Sequence, residues 1–185
     1  MVVEDEMSLV QEHNPYYRWS VKGTTPKVKF IRERESAQIF FGGLSLKDKR
    51  EIIHLSENKK SADFIEFLEA VKKRYCKEIE LRLEAHREWL KTQEDYHGLI
   101  LVVVDGASIH KSEETKIYLE QNYGIFELMR FPTYAPEVNP QEHVWKALRA
   151  DLAKVAHQYT FEEILNRACR FLLTNTFKYK FGKSA

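Results

Sequence analysis

The chain opens on a short apolar stretch, Met1 to Asp5, which reads as a strand with almost nothing before it. Trp19–Val21, Lys27–Ile31 and Ala37–Phe41 read as the rest of an antiparallel meander. In the last two, Val28/Phe30 and Ile39/Phe41 fall on one face at period two. Gly23 and Gly42-Gly43 supply its turns. Between Asp63 and Gln93 the period lengthens. Phe64, Phe67, Leu68, Val71 and Tyr75 recur at spacings of three and four, as in a helix laying one face on a sheet. Leu83, Trp89 and Leu90 continue the pattern less regularly, so the region is one long helix or two. Leu99 to Val104 is continuously apolar, which suits a strand covered on both faces, and it ends in Asp105. Ser112–Gln121 reads as a helix, Ile125–Arg130 as a strand and Asn139–Ala156 as a helix. A last helix begins at Thr160, where Thr160 and Glu163 have capping-box spacing.

A meander followed by strand–helix crossovers implies an α/β protein: a mixed five-stranded sheet flanked by helices, in ribonuclease-H-like order. With 185 residues, 43% apolar and 31% charged, the chain fits one ordinary domain over 1–185, with 157–185 forming a C-terminal helix and basic tail. No stretch approaches the roughly 20 apolar residues of a membrane span. Glu4, Asp5 and Glu6 stand where a secretory leader would be basic. Cys76 and Cys169 match no metal-ligand spacing and read as free thiols in a reducing cytoplasm. The net charge of +1 says little about partners, but its distribution says more. Arg167, Arg170, Lys178, Lys180 and Lys183 close the chain with no acid among them. Phe177, Tyr179 and Phe181 interleave with Lys178 and Lys180, a pattern suited to tracking phosphates and stacking on bases, or equally to a solvated terminus or edge strand.

Candidate chemistry lies with the acids. Asp5 and Asp105 each close an apolar strand, and in mixed sheets ligands gather beyond the carboxyl ends of the parallel strands. If the two strands are neighbours, their carboxylates repel unless a cation lies between them. Hard oxygen donors without a His/Cys cluster favour Mg²⁺ or Mn²⁺. A third acid is offered by Asn139-Pro140-Gln141-Glu142, where Asn139 suits an N-cap and Pro140 the first helical position. Glu142 then occupies the third position, where it serves either as a ligand or as half of a capping box. Asp5 alone reads equally as part of an acidic lead, and Asp105 before Gly106 as a turn residue.

Val102-Val103-Val104-Asp105-Gly106-Ala107-Ser108-Ile109-His110-Lys111 resembles the second-aspartate motif of the IS630/Tc1/mariner superfamily of DDE transposases. Tyr134 through Trp145 resembles that family's segment around Asn-Pro-x-Glu-x-x-Trp, and Val3-Glu4-Asp5-Glu6 with Arg18-Trp19, Gly23 and Pro26 resembles its first-aspartate region. The likeness runs from about residue 2 to residue 150. The 36 residues between Asp105 and Glu142 are close to the family's mid-thirties spacing.

The resemblance implies a ribonuclease-H-like catalytic domain with Asp5, Asp105 and Glu142 as catalytic residues and metal ligands; Glu137, before the Asn-Pro pair, is the less apt rival for the third place. It implies two ions, Mg²⁺ or Mn²⁺, roughly 3.5–4 Å apart, serving cleavage of DNA at transposon ends and strand transfer into target DNA. The implied partners are double-stranded DNA and further copies of the chain, a homodimer or higher multimer, with no membrane. The implied location is the cytoplasm, at the nucleoid in a prokaryote. His110 and His143 become candidates for DNA or outer-shell contacts beside Lys178 and Lys180, with a structural histidine the alternative for each. Trp145 packs its helix on the sheet. Full-length family members carry helix-turn-helix modules ahead of the first aspartate, whereas four residues precede Asp5 here, so either the chain is truncated or end recognition lies on a separate polypeptide. The charged stretch from about Cys76 to Tyr96 is longer than the family's usual helix. Two other readings remain: a catalytically silent remnant that binds DNA or a partner protein, and a structure-specific nuclease of the same fold.

Overall fold

The computed structural model describes residues 1–10, 21–23, 37–132, 139–155 and 159–178. Five strands form one sheet in the order β3-β2-β1-β4-β5: β1 (Val2–Val10), β2 (Ala37–Ser45), β3 (Glu51–Ser56), β4 (Ile100–Val104) and β5 (Phe126–Arg130). The first three pair antiparallel, while β1–β4 and β4–β5 are parallel, so the sheet is mixed as expected and its order is ribonuclease-H-like.

Helices cover both faces. On one, α1 (Ser61–Arg74) buries Phe64, Phe67, Leu68 and Val71 against Val2, Phe41, Val102, Val104 and Phe126, beside α3 (Glu113–Gln121). On the other, α4 (Pro140–Leu152) buries Val144, Trp145, Leu148 and Leu152 with Ile164, Ala168 and Leu172 of α5 (Phe161–Thr174) against Met7, Leu9, Phe40 and Leu44. Burying such side chains contributes about 1.5–3 kcal/mol each, so the two faces dominate the fold's stability. At Thr160 both halves of the capping box form.

Several boundaries differ from the sequence reading. The long helical region is two helices, α1 and α2 (Cys76–Leu90), broken at Tyr75, where φ −107° and ψ 15° leave the helical range. The charged segment after Cys76 buries only Ile79 and Leu90; it clasps the α3–β5 turn, where Arg87 Nε donates to the Tyr123 carbonyl at 3.0 Å beside Gly124 at φ 83°. Gly42 and Gly43 are not a turn but lie inside β2. The chain reverses instead at 46–48, followed by Lys49 at φ 61°. Strand β3 was not legible because Ile52 faces one core while Ile53 and Leu55 face the other, with Glu51 and His54 interspersed. Of the expected meander, 19–20 and Lys27–Ile31 lie outside the described residues; Val21 is exposed and not in a strand.

Candidate metal centre

Asp5 does not end its strand, as the sequence suggested, but stands in the middle of β1, because β1 continues to Val10 against β2. Its parallel partner stops early. The β1–β4 ladder holds Val2↔Val102 and Val3↔Val103, and β4 ends at Val104. The same offset carried forward sets Asp5 beside Asp105 at the mouth of a crevice between the parting strands. Carboxylate oxygens of Asp5, Glu6 and Asp105 lie within 4.8 Å of one another.

Asp105 is both a turn residue and a member of this cluster. Its Oδ1 accepts from the Ala107 N–H at 2.7 Å, and the 3₁₀ turn Ser108–Lys111 brings His110 back so that Nδ1 lies 3.1 Å from the same oxygen. The His110 side chain is 1% exposed, packed edge-on to Phe64 with ring centroids 4.5 Å apart. Its Nε2 lies 3.3 Å from Glu4 Oε2 and 3.7 Å from Glu6 Oε1. Glu4 is wholly buried and neither of its oxygens accepts a hydrogen bond among the described residues.

Glu142 arrives from the other layer. Asn139 Oδ1 accepts from the Gln141 N–H at 2.9 Å, and Pro140 opens the helix. No reciprocal bond makes Glu142 half of a capping box, in contrast to Glu163 on α5. Its carboxylate is half exposed, 4.0 Å from Arg149 Nη1. What lets α4 approach Asp5 is Gly42, the residue opposite Asp5 in the β1–β2 ladder. A Cβ there would stand 2.3 Å from Trp145 Cη2 and 2.7 Å from Gln141 Nε2. The glycine thus provides room for a close approach.

The electrostatics record the convergence. Asp5 is pushed up to about 7, first by burial and then by the charges of Glu142, Glu6 and Asp105, with the Glu6 N–H opposing. Burial and then Glu4 and Asp105 lift Glu6 to about 7, against the pull of His110 and Lys59. Glu4 is raised well above the carboxylate range by burial, Asp5 and Asp105. A set of hard oxygen donors so short of positive charge fits a divalent cation; among the described residues the carboxylates within 4.8 Å of one another are those of Asp5, Glu6 and Asp105, while Glu142 acts on Asp5 through its charge.

The other sequence candidates are dispersed. His143 is exposed on the first turn of α4, and Lys178 is exposed. Glu137 and Lys180 lie outside the described residues, as do Tyr179, Phe181 and Lys183. Phe177 is not available for base stacking. Its ring packs on Phe171 with centroids 5.9 Å apart, and its N–H donates to the Lys49 carbonyl at 2.7 Å. Arg167 is engaged with both oxygens of Asp151, at 2.8 and 3.0 Å. The thiols of Cys76 and Cys169 are free. Sequence reasoning missed Glu4, Glu6, Glu51 and Gln141 as parts of the site. The signal was present for the first two: three consecutive acids in a strand buried on both faces cannot all reach solvent.

Fold and acidic crevice together define a ribonuclease-H-like domain suited to divalent-metal chemistry. Residues 1–165 match the family model of the DDE superfamily endonucleases, and the chain belongs to that family. It is 32% identical over 75 residues to the insertion element IS630 uncharacterized 39 kDa protein of Shigella sonnei, an alignment spanning 40% of this chain and 22% of that relative. A pre-cleavage Mos1 transpososome superposes with TM-score 0.64 at 15% identity, covering 95% of this chain and 48% of that one. For the Mos1 mariner paired end complex with Mn the TM-score is 0.62 at 14% identity, covering 95% and 48%. For the catalytic domain of Mos1 mariner transposase it is 0.52 at 13% identity, covering 94% and 70%. The chain thus spans about half the length of the larger structures it resembles and under a quarter of the curated relative. No helix among the described residues is long and apolar enough to cross a membrane.

Proposed function

We propose that this domain cleaves DNA strands at transposon ends and joins the freed 3′ ends to target DNA, with Asp5, Asp105 and Glu142 holding the divalent cations. The observation that carries this reading is the gathering of the Asp5 and Asp105 carboxylates within 4.8 Å at the mouth of the crevice, where burial and then the charge of Glu142 raise the affinity of Asp5 for positive charge. Bound there, Mg²⁺ or Mn²⁺ supplies Lewis-acid polarisation of the phosphodiester and a more acidic attacking water.

The chain's own residues provide the frame. Asp5 is held by a strand paired along its whole length to β2, and Asp105 by its turn and by His110. Glu142 is set by an N-capped helix seated over Gly42. In cleavage, a water oxygen forms a bond to phosphorus, the P–O3′ bond breaks and the departing 3′ oxygen takes up a proton. In joining, that 3′-hydroxyl attacks a target phosphodiester and displaces its 3′ oxygen in turn. Joining two ends calls for more than one copy of the chain on the DNA, in line with the paired-end complex among the structural neighbours.

The test is Mn²⁺-dependent nicking of a supercoiled plasmid carrying terminal inverted repeats, with Asp5→Asn, Asp105→Asn and Glu142→Gln as comparisons. Loss of nicking in each variant with the fold intact supports the assignment. Undiminished nicking by Asp105→Asn defeats it. Equal activity on RNA–DNA hybrids or junctions in place of the repeats would redirect the reading to a structure-specific nuclease.

A further inference from the structure

Beneath Glu142 lies a second acid that the metal centre does not use. Glu51, at the start of β3, is 4% exposed, and its Oε1 accepts from Nε2 of the fully buried Gln141. Two acceptor atoms at the same contact, Glu51 Oε2 and Gln141 Oε1, have no donor among the described residues. A buried acceptor left without a donor is costly, and here there are two. One proton on Glu51 Oε2 satisfies both. The acid then donates O–H to the amide oxygen while the amide donates N–H to the acid carbonyl, the cyclic pairing open to any carboxylic acid and primary amide.

We infer that Glu51 is a neutral carboxylic acid in a cyclic pair with Gln141, and that this pair is the positioning device that seats the first turn of α4 and so presents Glu142 to the metal centre. Gln141 is fixed twice, by its backbone to the Asn139 cap and by its side chain to Glu51. It lies over Gly42, the ladder partner of Asp5. The same chain of contacts therefore ends on both acids that must meet.

Burial lifts Glu51 to about 8, with the Gln141 bond alone opposing, and no charged group contributes to the shift. Gln141 on α4 donates to it and Leu44 is its ladder partner on β2, while Trp145 Nε1, four residues along α4 from Gln141, is likewise buried without a partner among the described residues. Above pH 8 the pair loses its proton and holds two opposed acceptors, so α4 loosens at its N-terminus.

The catalytic consequence rests on the proposed triad; the protonated pair does not, and the two are measured separately. The ¹³C carboxyl shift of Glu51, assigned by its loss in Glu51→Gln, is followed from pH 5 to 9.5. A neutral carboxyl persisting to about pH 8 is expected; a carboxylate at pH 6 in the folded chain overturns the inference. Mg²⁺-dependent nicking is then measured from pH 7 to 9 for wild type, Glu51→Gln and Glu51→Ala. Wild type should lose activity about tenfold per unit above pH 8. Glu51→Gln, an amide that still makes both bonds, should keep it. Glu51→Ala should be impaired at every pH. An alkaline decline shared equally by wild type and Glu51→Gln removes Glu51 from the positioning of Glu142. If no protein nicks while the carbon shift titrates as expected, the triad reading fails and the pair stands.

Discussion

His110 Nδ1 and Asp105 Oδ1 stand 3.1 Å apart, five residues distant in sequence, with the imidazole walled in by Phe64 on one side and Glu4 on the other. A ring so enclosed cannot touch DNA, but it can fix the Asp105 carboxylate. Groups behind a metal ligand typically account for 10–100-fold in affinity. His110→Ala should therefore weaken Mn²⁺ binding, read by calorimetry, by about that factor, with partial recovery in His110→Asn. Unchanged affinity in a folded His110→Ala protein would show that Asp105 orients itself through the Ala107 N–H alone.

The first turn of α4 holds both the cap residue Asn139 and the third acid of the proposed triad, Glu142. Asn139→Ala should cost about 0.5–2 kcal/mol, the usual loss for an N-cap. Glu142→Ala, which breaks no capping box, should change stability by less than about 0.5 kcal/mol. It should nonetheless abolish nicking. Chemical denaturation and the plasmid assay on the two variants check this; a Glu142→Ala loss as large as that of Asn139→Ala would return Glu142 to a structural role.

Gly42 leaves no room for a side chain. An alanine methyl there must displace Trp145 or Gln141, and such overpacking costs about 1–3 kcal/mol. Because the displaced groups carry Glu142, Gly42→Ala should lose nicking more severely than its loss of stability explains. Gly106→Ala, whose added methyl meets nothing within 4 Å, is the control for general effects on folding.

The metal-free protein should be more stable in weak acid than in weak base. Glu4, Asp5, Glu6 and Glu51 all bind protons more tightly folded than unfolded. From the ordinary carboxylate range up to about pH 8 the folded chain thus carries the extra protons, and its stability falls as pH rises through that window. Calorimetry should give a higher Tm at pH 5.5 than at pH 8 without metal. Mn²⁺ at 100 times its Kd should restore about 2.7 kcal/mol at pH 8. A metal-free Tm that rises with pH would contradict the crowding of these acids.

The parts of the fold that repeat were legible in the sequence, and the parts that depend on contact were not. Phe64, Phe67, Leu68 and Val71 gave α1, and the apolar run before Asp105 gave β4, since each buries a regular face. Strand β3 escaped because its apolar residues divide between two cores. Gly42-Gly43 looked like a turn because glycine's two uses, conformational freedom and the absence of a side chain, leave the same letter in a sequence. The second faces Trp145 and Gln141 at Gly42 and Phe67 at Gly43. The motif acids could be named from their neighbours, but the depth of Glu4 and the engagement of Glu51 with Gln141 belong to tertiary packing, 90 residues apart in the latter case.

Three acids in a row on β1 alternate between two layers, Glu4 and Glu6 toward His110 and Asp5 toward α4, and all three positions hold a carboxyl. A slip of one place against β2 would therefore put a chemically adequate glutamate where Asp5 belongs, while turning Met7 and Leu9 out of one core and into the other. Nine ladder pairs, Val2↔Ser45 through Val10↔Ala37, forbid that slip. The length of that ladder is thus an address label: it decides which of three near-equivalent carboxyls turns toward α4 and which turn toward His110, a choice that side-chain chemistry by itself would leave open.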